Sequence, residues 1–345
     1  MLKLSAILLG LLAAIAVVVP MRPHTGIPRG DILSDCDGQI RTIAINYVAG
    51  ADFAADVYHS FLPQLPADVR VLVICPDENV FAELRTRVGP IAAELEPVIV
   101  NHPMTPWSRD RWVTLRRNPG AVLLLSSSEE GSEIWPQRKG DEQLAADLAV
   151  RDGSPWLVRP SGLFFDGGDF VDDDRTAFIA PGVIRRNLHR TVAGEAELIE
   201  RLSTLVGRRI VLLPDAPDHH AGMFMMAAGD NTILVADPSL ARDLPHLPLP
   251  GGADFSPETQ ARYDSVAAAA TADGKTFLTY LNVIIDQRAG RRIVCMPVFD
   301  GCDALNSAAR EVWQGLGYEV RRVNCTNSFR QFGNLRCLVN VLERS

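Results

Sequence analysis

Four short motifs carry the residues of this chain that could perform covalent chemistry. In chain order they are Trp107-Ser108-Arg109-Asp110, Phe165-Asp166-Gly167-Gly168-Asp169, His219-His220-Ala221-Gly222-Met223 and Gly333-Asn334-Leu335-Arg336-Cys337. Together they supply carboxylates, a histidine and a late cysteine. A thiolate nucleophile needs a nearby proton carrier, and a planar cation is held by carboxylates that accept its N–H groups. The set therefore indicates nucleophilic attack on a cationic carbon, such as the central carbon of a guanidinium group.

Each of these motifs, taken alone, is also compatible with a structural role. A free cysteine such as Cys337 usually packs as a small apolar side chain. His220 could serve only as a hydrogen-bonding group, or bind a metal together with His219, although no third ligand lies at zinc spacing. The two glycines after Asp166 allow the backbone to approach a ligand closely, or simply form a turn. Only the combination favours catalysis.

The first motif places charged groups between aromatic rings. Arg109 and Asp110 lie between Trp107 and Trp112. A guanidinium can be hydrogen-bonded at its edge and stacked on its face, so this pattern suits a guanidine ligand. An Arg–Asp ion pair in a loop is the structural alternative.

Composition limits the class of protein. The chain has 345 residues, a formal charge of −8 and 47% apolar residues, which is typical of a folded globular protein of one large or two ordinary domains. The acidic balance argues against a nucleic-acid partner and is compatible with cationic small molecules or peptides. No Gly-rich phosphate loop is present, and no cofactor or metal is expected. The sequence leaves the oligomeric state open.

The N-terminus predicts export. Lys3 precedes an apolar run from Leu4 to Val19, which has the length of an export signal and is short for a membrane span. We expect a signal peptide or N-terminal membrane anchor over residues 1–20, a linker over 21–40 and one domain over 41–345. A periplasmic, extracellular or membrane-anchored location follows, with a buried core helix as the alternative. The six cysteines leave any disulfide pattern open.

The elements that must position the motifs alternate between strand and helix. Apolar residues at three- and four-residue steps predict helices over 53–61, 78–88, 142–150, 195–206, 258–271 and 304–316. Short apolar runs between them predict strands over 42–48, 69–75, 97–101, 121–126, 177–180, 209–213, 232–236, 276–281, 292–297 and 319–323. The chain is therefore expected to have an α/β fold.

With these residues in view, the chain resembles the guanidino-group-modifying (pentein) superfamily. The order W-x-R-D, D-G-G-D, H-x-x-M, Y-x-N before a strand and G-x-x-x-C near the end is similar to the branch of agmatine deiminases and bacterial-type peptidylarginine deiminases. The likeness covers roughly residues 40 to 345 and includes Tyr280 and Asn282. It implies a five-bladed α/β propeller with pseudo-fivefold symmetry and a central active site.

The resemblance also implies residue roles. Cys337 attacks the guanidinium carbon, and His220 protonates the leaving ammonia and then activates the water that hydrolyses the thiouronium intermediate. Asp110 holds the guanidinium with Trp107 packed against it, and Asp166 orients His220 or the substrate. The remaining expected substrate contacts are Arg109, Asp169 and Asn282.

Three positions depart from that branch. Gly222 stands where the family usually has the second guanidinium-binding aspartate, Arg336 replaces a histidine before the nucleophile, and Arg111-Trp112 replaces x-G-P. Asp166 or Asp169 could substitute for the missing carboxylate, the substrate could differ from arginine, or activity could be lost. A non-catalytic binding protein and an amidinotransferase of the same superfamily are therefore the alternatives to a deiminase.

Overall fold

A computed structural model describes residues 30–117, 120–127, 136–217, 219–236 and 278–345. The architecture is a mixed α/β fold, as predicted. Its helices are α1 (Asp52–Phe61), α2 (Glu78–Val88), α3 (Pro136–Asp141), α4 (Leu144–Ala149), α5 (Pro181–Asn187), α6 (Glu195–Val206) and α7 (Asp303–Gly315). Short 3-10 turns cover Gly167–Asp169, Ala221–Met223 and Leu335–Leu338, next to three of the motifs.

The strands of the described residues form five sheets. They are β1-β5-β6-β7, β10-β9-β8, β11-β12, β13-β14-β15 and β16-β2-β3-β4. The strands are β1 (Asp31–Ile32), β2 (Ile40–Asn46), β3 (Arg70–Cys75), β4 (Glu94–Ile99), β5 (Trp112–Arg116), β6 (Ala121–Leu125), β7 (Trp156–Pro160), β8 (Phe170–Asp172), β9 (Thr176–Ile179), β10 (Arg209–Leu212), β11 (Met225–Ala227), β12 (Ile233–Val235), β13 (Ile284–Arg288), β14 (Arg291–Val298), β15 (Tyr318–Asn324) and β16 (Asn340–Arg344).

Four of these sheets repeat one topology. In each, a first strand pairs antiparallel with a second, and a helical crossover leads to a third strand that is parallel to the second: β5-β6-β7, β8-β9-β10, β13-β14-β15 and β16-β2-β3. The pair β11-β12 has the same antiparallel start. We call this β-β-α-β arrangement the repeat unit. The repetition is visible in the topology although no sequence repeat is apparent.

Local sequence explains why the helices form where they do. In α6 the residues Leu198, Leu202 and Leu205 recur at three- and four-residue steps and are buried against β9 and its neighbours. The helix ends at Gly207, whose φ of 68° is the left-handed conformation that glycine adopts without strain. The boundaries predicted for α2 and α6 from periodicity agree with those observed.

Two predicted boundaries need correction. The linker over 21–40 ends early, because Asp31–Ile32 already pairs with β5, Asp35 pairs with Arg336 and Cys36 is buried. The strand predicted over 276–281 is wrong from residue 278 onward, because Leu281 donates its backbone N–H to the Thr279 hydroxyl in a turn.

Several predicted segments lie outside the described residues. They are the export signal or anchor over 1–20, the first part of the linker and the helix over 258–271. Within the described ranges, none of the helices has the length and hydropathy needed to cross a membrane.

Candidate active site

Five residues from the motifs occupy equivalent places in five different sheets. Asp110, Asp166, His220, Asn282 and Cys337 each lie a few residues before the first strand of a repeat unit or, for His220, of the β11-β12 pair. Because loops at the same end of repeated units can converge, one residue per sheet is an arrangement that builds a shared site from distant parts of the chain.

His220 connects the acidic and the sulfur-bearing parts of this site. Its Nε2 lies 3.4 Å from Oδ2 of Asp166, and its ring is close enough to the Cys337 side chain for that group to raise the pKa of the imidazole. All three side chains are buried or nearly so. The structure thus brings together the residue types of a nucleophile, a proton carrier and an orienting carboxylate.

The charge of His220 follows from these neighbours. Burial alone would lower the pKa of the imidazole, but the hydrogen bond with Asp166, the neighbouring Cys337 side chain and the charges of Asp169 and Asp110 raise it well above 6.5. Asp166 responds in the opposite sense. Burial would raise the pKa of its carboxyl, and the contacts with His220, Arg186 and Arg138 lower it instead. At neutral pH the pair is therefore an imidazolium and a carboxylate.

Asn282 holds the loop that carries Cys337. Its Oδ1 accepts the backbone N–H of Arg336 at 2.9 Å, and its Nδ2 donates to the carbonyl of Gly222 at 3.0 Å and to Sγ of Cys337 at 3.5 Å. The side chain is fully buried. Asn282 thus ties the Cys337 turn to the His220 loop and gives the sulfur a hydrogen-bond donor.

The two glycines of the second motif allow other parts of the chain to pack closely against them. Gly167 lies against the carbonyl of Trp112, which would be 2.6 Å from an added Cβ, and it donates its N–H to the Asp110 carbonyl at 2.8 Å. Gly168 lies beneath the His220 ring, whose Cγ would be 2.7 Å from an added Cβ. The glycines therefore bring the Asp110 loop, the Asp166 turn and the imidazole together.

The Asp110 carboxylate is paired with an arginine of the same chain. Arg138, on α3, donates from Nη1 to Oδ2 of Asp110 and from Nη2 to Oδ1 of Asp166, the second at 3.1 Å. Burial raises the pKa of Asp110, and the Arg138 charge opposes that rise. One guanidinium of the chain itself thus bridges the two carboxylates that were predicted to bind and orient a guanidine substrate.

The Asp169 carboxylate is occupied by hydrogen bonds within the protein. Its Oδ2 accepts the backbone N–H of Asp166 at 2.7 Å and a hydrogen bond from Arg186, which also contacts Asp166 at 3.1 Å. Burial raises the pKa of Asp169 to about 6, against the opposing charge of Arg186. The contacts of Asp169 close the turn after Asp166 and anchor Arg186.

The space beside Gly222 is filled by Arg336. An added Cβ at Gly222 would lie 2.5 Å from Nη1 of Arg336. Nη2 of Arg336 is 2.8 Å from both carboxylate oxygens of Asp35 and 2.8 Å from the Phe170 carbonyl. Although burial would raise the pKa of Asp35, the charges of Arg336 and Arg109 lower it. Two departures noted in the sequence, Gly222 and Arg336, are therefore coupled in space.

Two predicted substrate-binding residues lie at the margin of this cluster. The Arg109 guanidinium is 3.5 Å from Asp35 and lines a small cavity with Thr114 and Arg344, and burial lowers its pKa to about 10. Trp107 packs on Phe53, with ring centroids 5.4 Å apart, and against Gly333. None of these side-chain contacts is with the Asp110 carboxylate, and the Arg109 backbone N–H donates to the Cys337 carbonyl at 3.2 Å.

Sequence reasoning missed Asp35, Arg138 and Arg186 as parts of this site. Asp35 lay in the predicted linker, and the two arginines carried no motif. The described residues contain no cluster of three or more His, Cys, Asp or Glu side chains arranged to hold a metal ion. His219 accepts the backbone N–H of His220 at 2.7 Å.

Comparison with known proteins gives a result only at the level of structure. No family model and no curated protein matches the sequence. The agmatine deiminase of C. jejuni superposes with a TM-score of 0.63 and 14% identity, covering 91% of this chain and 96% of that one. The agmatine deiminase of Enterococcus faecalis gives a TM-score of 0.61 and 12% identity over 91% of this chain and 96% of that chain.

A third structure, of a candidate peptidyl-arginine deiminase, gives a TM-score of 0.66 and 14% identity over 92% of this chain and 100% of that chain. At such low identity the likeness concerns the fold. The resemblance noted in the sequence is confirmed at that level: the chain has the fold of the guanidino-group-modifying (pentein) superfamily.

Proposed function

We propose that this protein is a hydrolase of guanidino groups that releases ammonia and leaves a ureido product. The substrate class is agmatine, peptidyl-arginine or a related guanidine. The proposal is supported by one observation above all: His220 hydrogen-bonds Asp166 and lies beside the Cys337 side chain, inside a cluster of buried carboxylates.

The chemistry proceeds in two stages. Sγ of Cys337 forms a bond to the guanidinium carbon, and the C–N bond to one terminal nitrogen breaks after His220 donates its proton to that nitrogen, which leaves as ammonia. Neutral His220 then takes a proton from water as the water attacks the thiouronium carbon. The C–S bond breaks, the ureido product forms and the Cys337 sulfur is regenerated.

The surroundings match the charges along this path. Asp110 and Asp166 accept N–H groups of the cationic substrate, and Asp166 stabilises the imidazolium. Asn282 donates to the Cys337 sulfur and keeps its loop in place. We further propose that the five sheets form a five-bladed propeller around this site, since one site residue comes from the same position in each of them.

The test measures the rates at which ammonia and ureido product are released from agmatine, arginine peptides and free arginine. These rates are compared between Cys337→Ser and the unchanged protein. Loss of the nucleophile should lower the rate by at least about 10⁴-fold. Cys302→Ser is the matched control, because Cys302 precedes the first residue of α7, where serine is a favoured helix cap. Equal rates for Cys337→Ser and Cys302→Ser on every guanidine would eliminate the proposed mechanism.

Two observations favour a second candidate, a non-catalytic binding protein. Arg138 bridges Asp110 and Asp166, and Arg336 fills the space beside Gly222. A protein of this kind would bind a ligand or partner without turnover. Guanidine binding by calorimetry in the absence of any ammonia release would support this candidate over the hydrolase.

A further inference from the structure

We propose that Arg138 is the resident guanidinium of the site formed by Asp110 and Asp166, and that a substrate guanidinium binds by exchanging with it. Arg138 is then a specificity-determining residue. The inference rests on the proposed function for the identity of the incoming group, but it concerns binding and can be tested without turnover.

The contacts of Arg138 have the geometry expected of a bound substrate headgroup. Its two terminal nitrogens reach one carboxylate each, Asp110 and Asp166, and both carboxylates are buried. A planar fork that spans two carboxylates is the interaction by which proteins recognise guanidinium ions. The chain therefore places its own arginine head where the proposed substrate needs to be.

The two carboxylates depend on Arg138 to different degrees. Asp166 also contacts Arg186, Arg111 and His220. For Asp110, Arg138 is the sole side chain among the described residues that donates a hydrogen bond to its carboxylate. Withdrawal of Arg138 alone leaves a buried anion without a charged donor, which is strongly unfavourable unless another cation takes its place. Exchange of one guanidinium for another avoids that state.

The backbone of Arg138 is held while its side chain has a route to solvent. Asp141 accepts the N–H of Thr105 at 2.7 Å and its hydroxyl at 2.6 Å, and Gly140 packs directly against the Pro103 carbonyl. These contacts fix α3 on the loop that leads to Asp110. The Arg138 side chain itself is 24% exposed. Exchange thus requires a rotation of one long side chain and no movement of the helix.

This arrangement defines which ligands are accepted and how product leaves. A guanidinium or amidinium replaces both charged hydrogen bonds, whereas a neutral amide or urea leaves the buried Asp110 carboxylate without a cationic partner. The ureido product is neutral, so it loses the interaction that held the substrate. Return of Arg138 to the two carboxylates then displaces the product.

The first experiment measures rescue of a deleted side chain. Arg138→Ala should lower the Tm, and millimolar guanidinium should raise that Tm by about 2–4 °C, while equal concentrations of sodium or ammonium should not. Arg151→Ala is the control, since Arg151 pairs with Glu96 away from the site and is 27% exposed. Absence of a guanidinium-specific shift in Arg138→Ala, or the same shift in Arg151→Ala, would overturn the inference.

The second experiment measures access to Cys337 with an isosteric pair of reagents. We expect the ratio of alkylation rates by 2-chloroacetamidine, a cation, and 2-chloroacetamide, its neutral analogue, to rise about tenfold in Arg138→Ala. Arg138→Lys serves if the alanine variant does not fold, because lysine keeps the charge and loses the fork. An unchanged ratio in the variant that folds would refute exchange.

The outcomes separate this inference from the proposed function. Guanidinium rescue with no ammonia release from any guanidine would uphold the binding site and remove the hydrolase. Ammonia release that depends on Cys337, with no guanidinium rescue and no change in the alkylation ratio, would uphold the hydrolase and remove the resident role of Arg138.

Discussion

Replacement of Gly168 by alanine tests whether the position of the His220 ring governs the chemistry of the site. Gly168 does not have a left-handed backbone, so the conformation itself tolerates alanine. The added methyl group, however, would lie 2.7 Å from Cγ and 3.1 Å from Cβ of His220. Ordinary contact begins at 3.4 Å, so the ring must move by at least about 0.7 Å.

That displacement is large compared with the tolerance of the contacts. Nε2 of His220 is already 3.4 Å from Asp166, close to the outer limit of a hydrogen bond. A further shift breaks the link to Asp166 or changes the position of the ring relative to Cys337, and misplacement by about 1 Å costs on the order of 100-fold in rate. Overpacking of a filled interior should also lower the free energy of unfolding by about 1–3 kcal/mol.

The assay compares kcat/KM for ammonia release with the free energy of unfolding in urea. Gly315→Ala is the matched control, because an added Cβ there meets no atom within 4 Å and Gly315 is in a helix. Alanine should stabilise that helix by about 0.5–1 kcal/mol and leave the rate unchanged. If Gly168→Ala remained folded and kept the kcat/KM of Gly315→Ala, the argument that the ring position limits catalysis would be wrong.

Two further predictions concern the support of α3. Burial raises the pKa of Asp141 to about 7 from 3.8. Between these two pH values the folded state binds a proton that the unfolded state does not. The free energy of unfolding therefore falls as the pH rises toward 7, and the stability that this protonation supplies is lost above it. Asn at this position does not titrate, so as the pH rises from about 5 to 8 the free energy of unfolding of Asp141→Asn, measured in urea, should rise by about 3 kcal/mol relative to that of the unchanged protein. The same pH dependence in the two proteins would contradict this prediction. Gly140→Ala would place a Cβ 2.7 Å from the backbone carbon of Pro103, so we expect a loss of about 1–3 kcal/mol by thermal unfolding, and an unchanged Tm would show that α3 is not held there.

The positions of most regular elements could be predicted because they follow from local patterns. The apolar period of α6 and its terminal Gly207 define that helix without reference to the rest of the chain. Asp77 accepts from the N–H groups of Asn79 and Val80 and so sets the start of α2. Two- and three-residue strands such as β1 and β8 carry no such pattern, because pairing with a distant neighbour alone makes them strands.

The candidate site was predictable to the extent that its residues come in motifs. Asp110, Asp166, His220 and Cys337 are each flanked by residues that shape a turn before a strand, and those turns converge. Arg138 and Arg186 were not predictable, since an arginine on a short helix looks the same in sequence whether it faces solvent or a buried carboxylate. Only the tertiary fold distinguishes these cases, through contacts between residues 20 to 28 positions apart.

The placement of Arg336 limits where a ligand guanidinium can be held. Its Nη2 is committed to Asp35 and the Phe170 carbonyl, and its Nη1 closes the space beside Gly222. A carboxylate at that position would face Arg336 first, so an acidic contact from position 222 is excluded by the packing and not merely by the absence of an aspartate. Under the proposed function, recognition of a planar cation then rests on Asp110 and Asp166, the same two groups that Arg138 bridges. The loss of the carboxylate at position 222 and the presence of a resident arginine are therefore linked: with Asp110 and Asp166 as the two acceptors, a single guanidinium fork pairs with both.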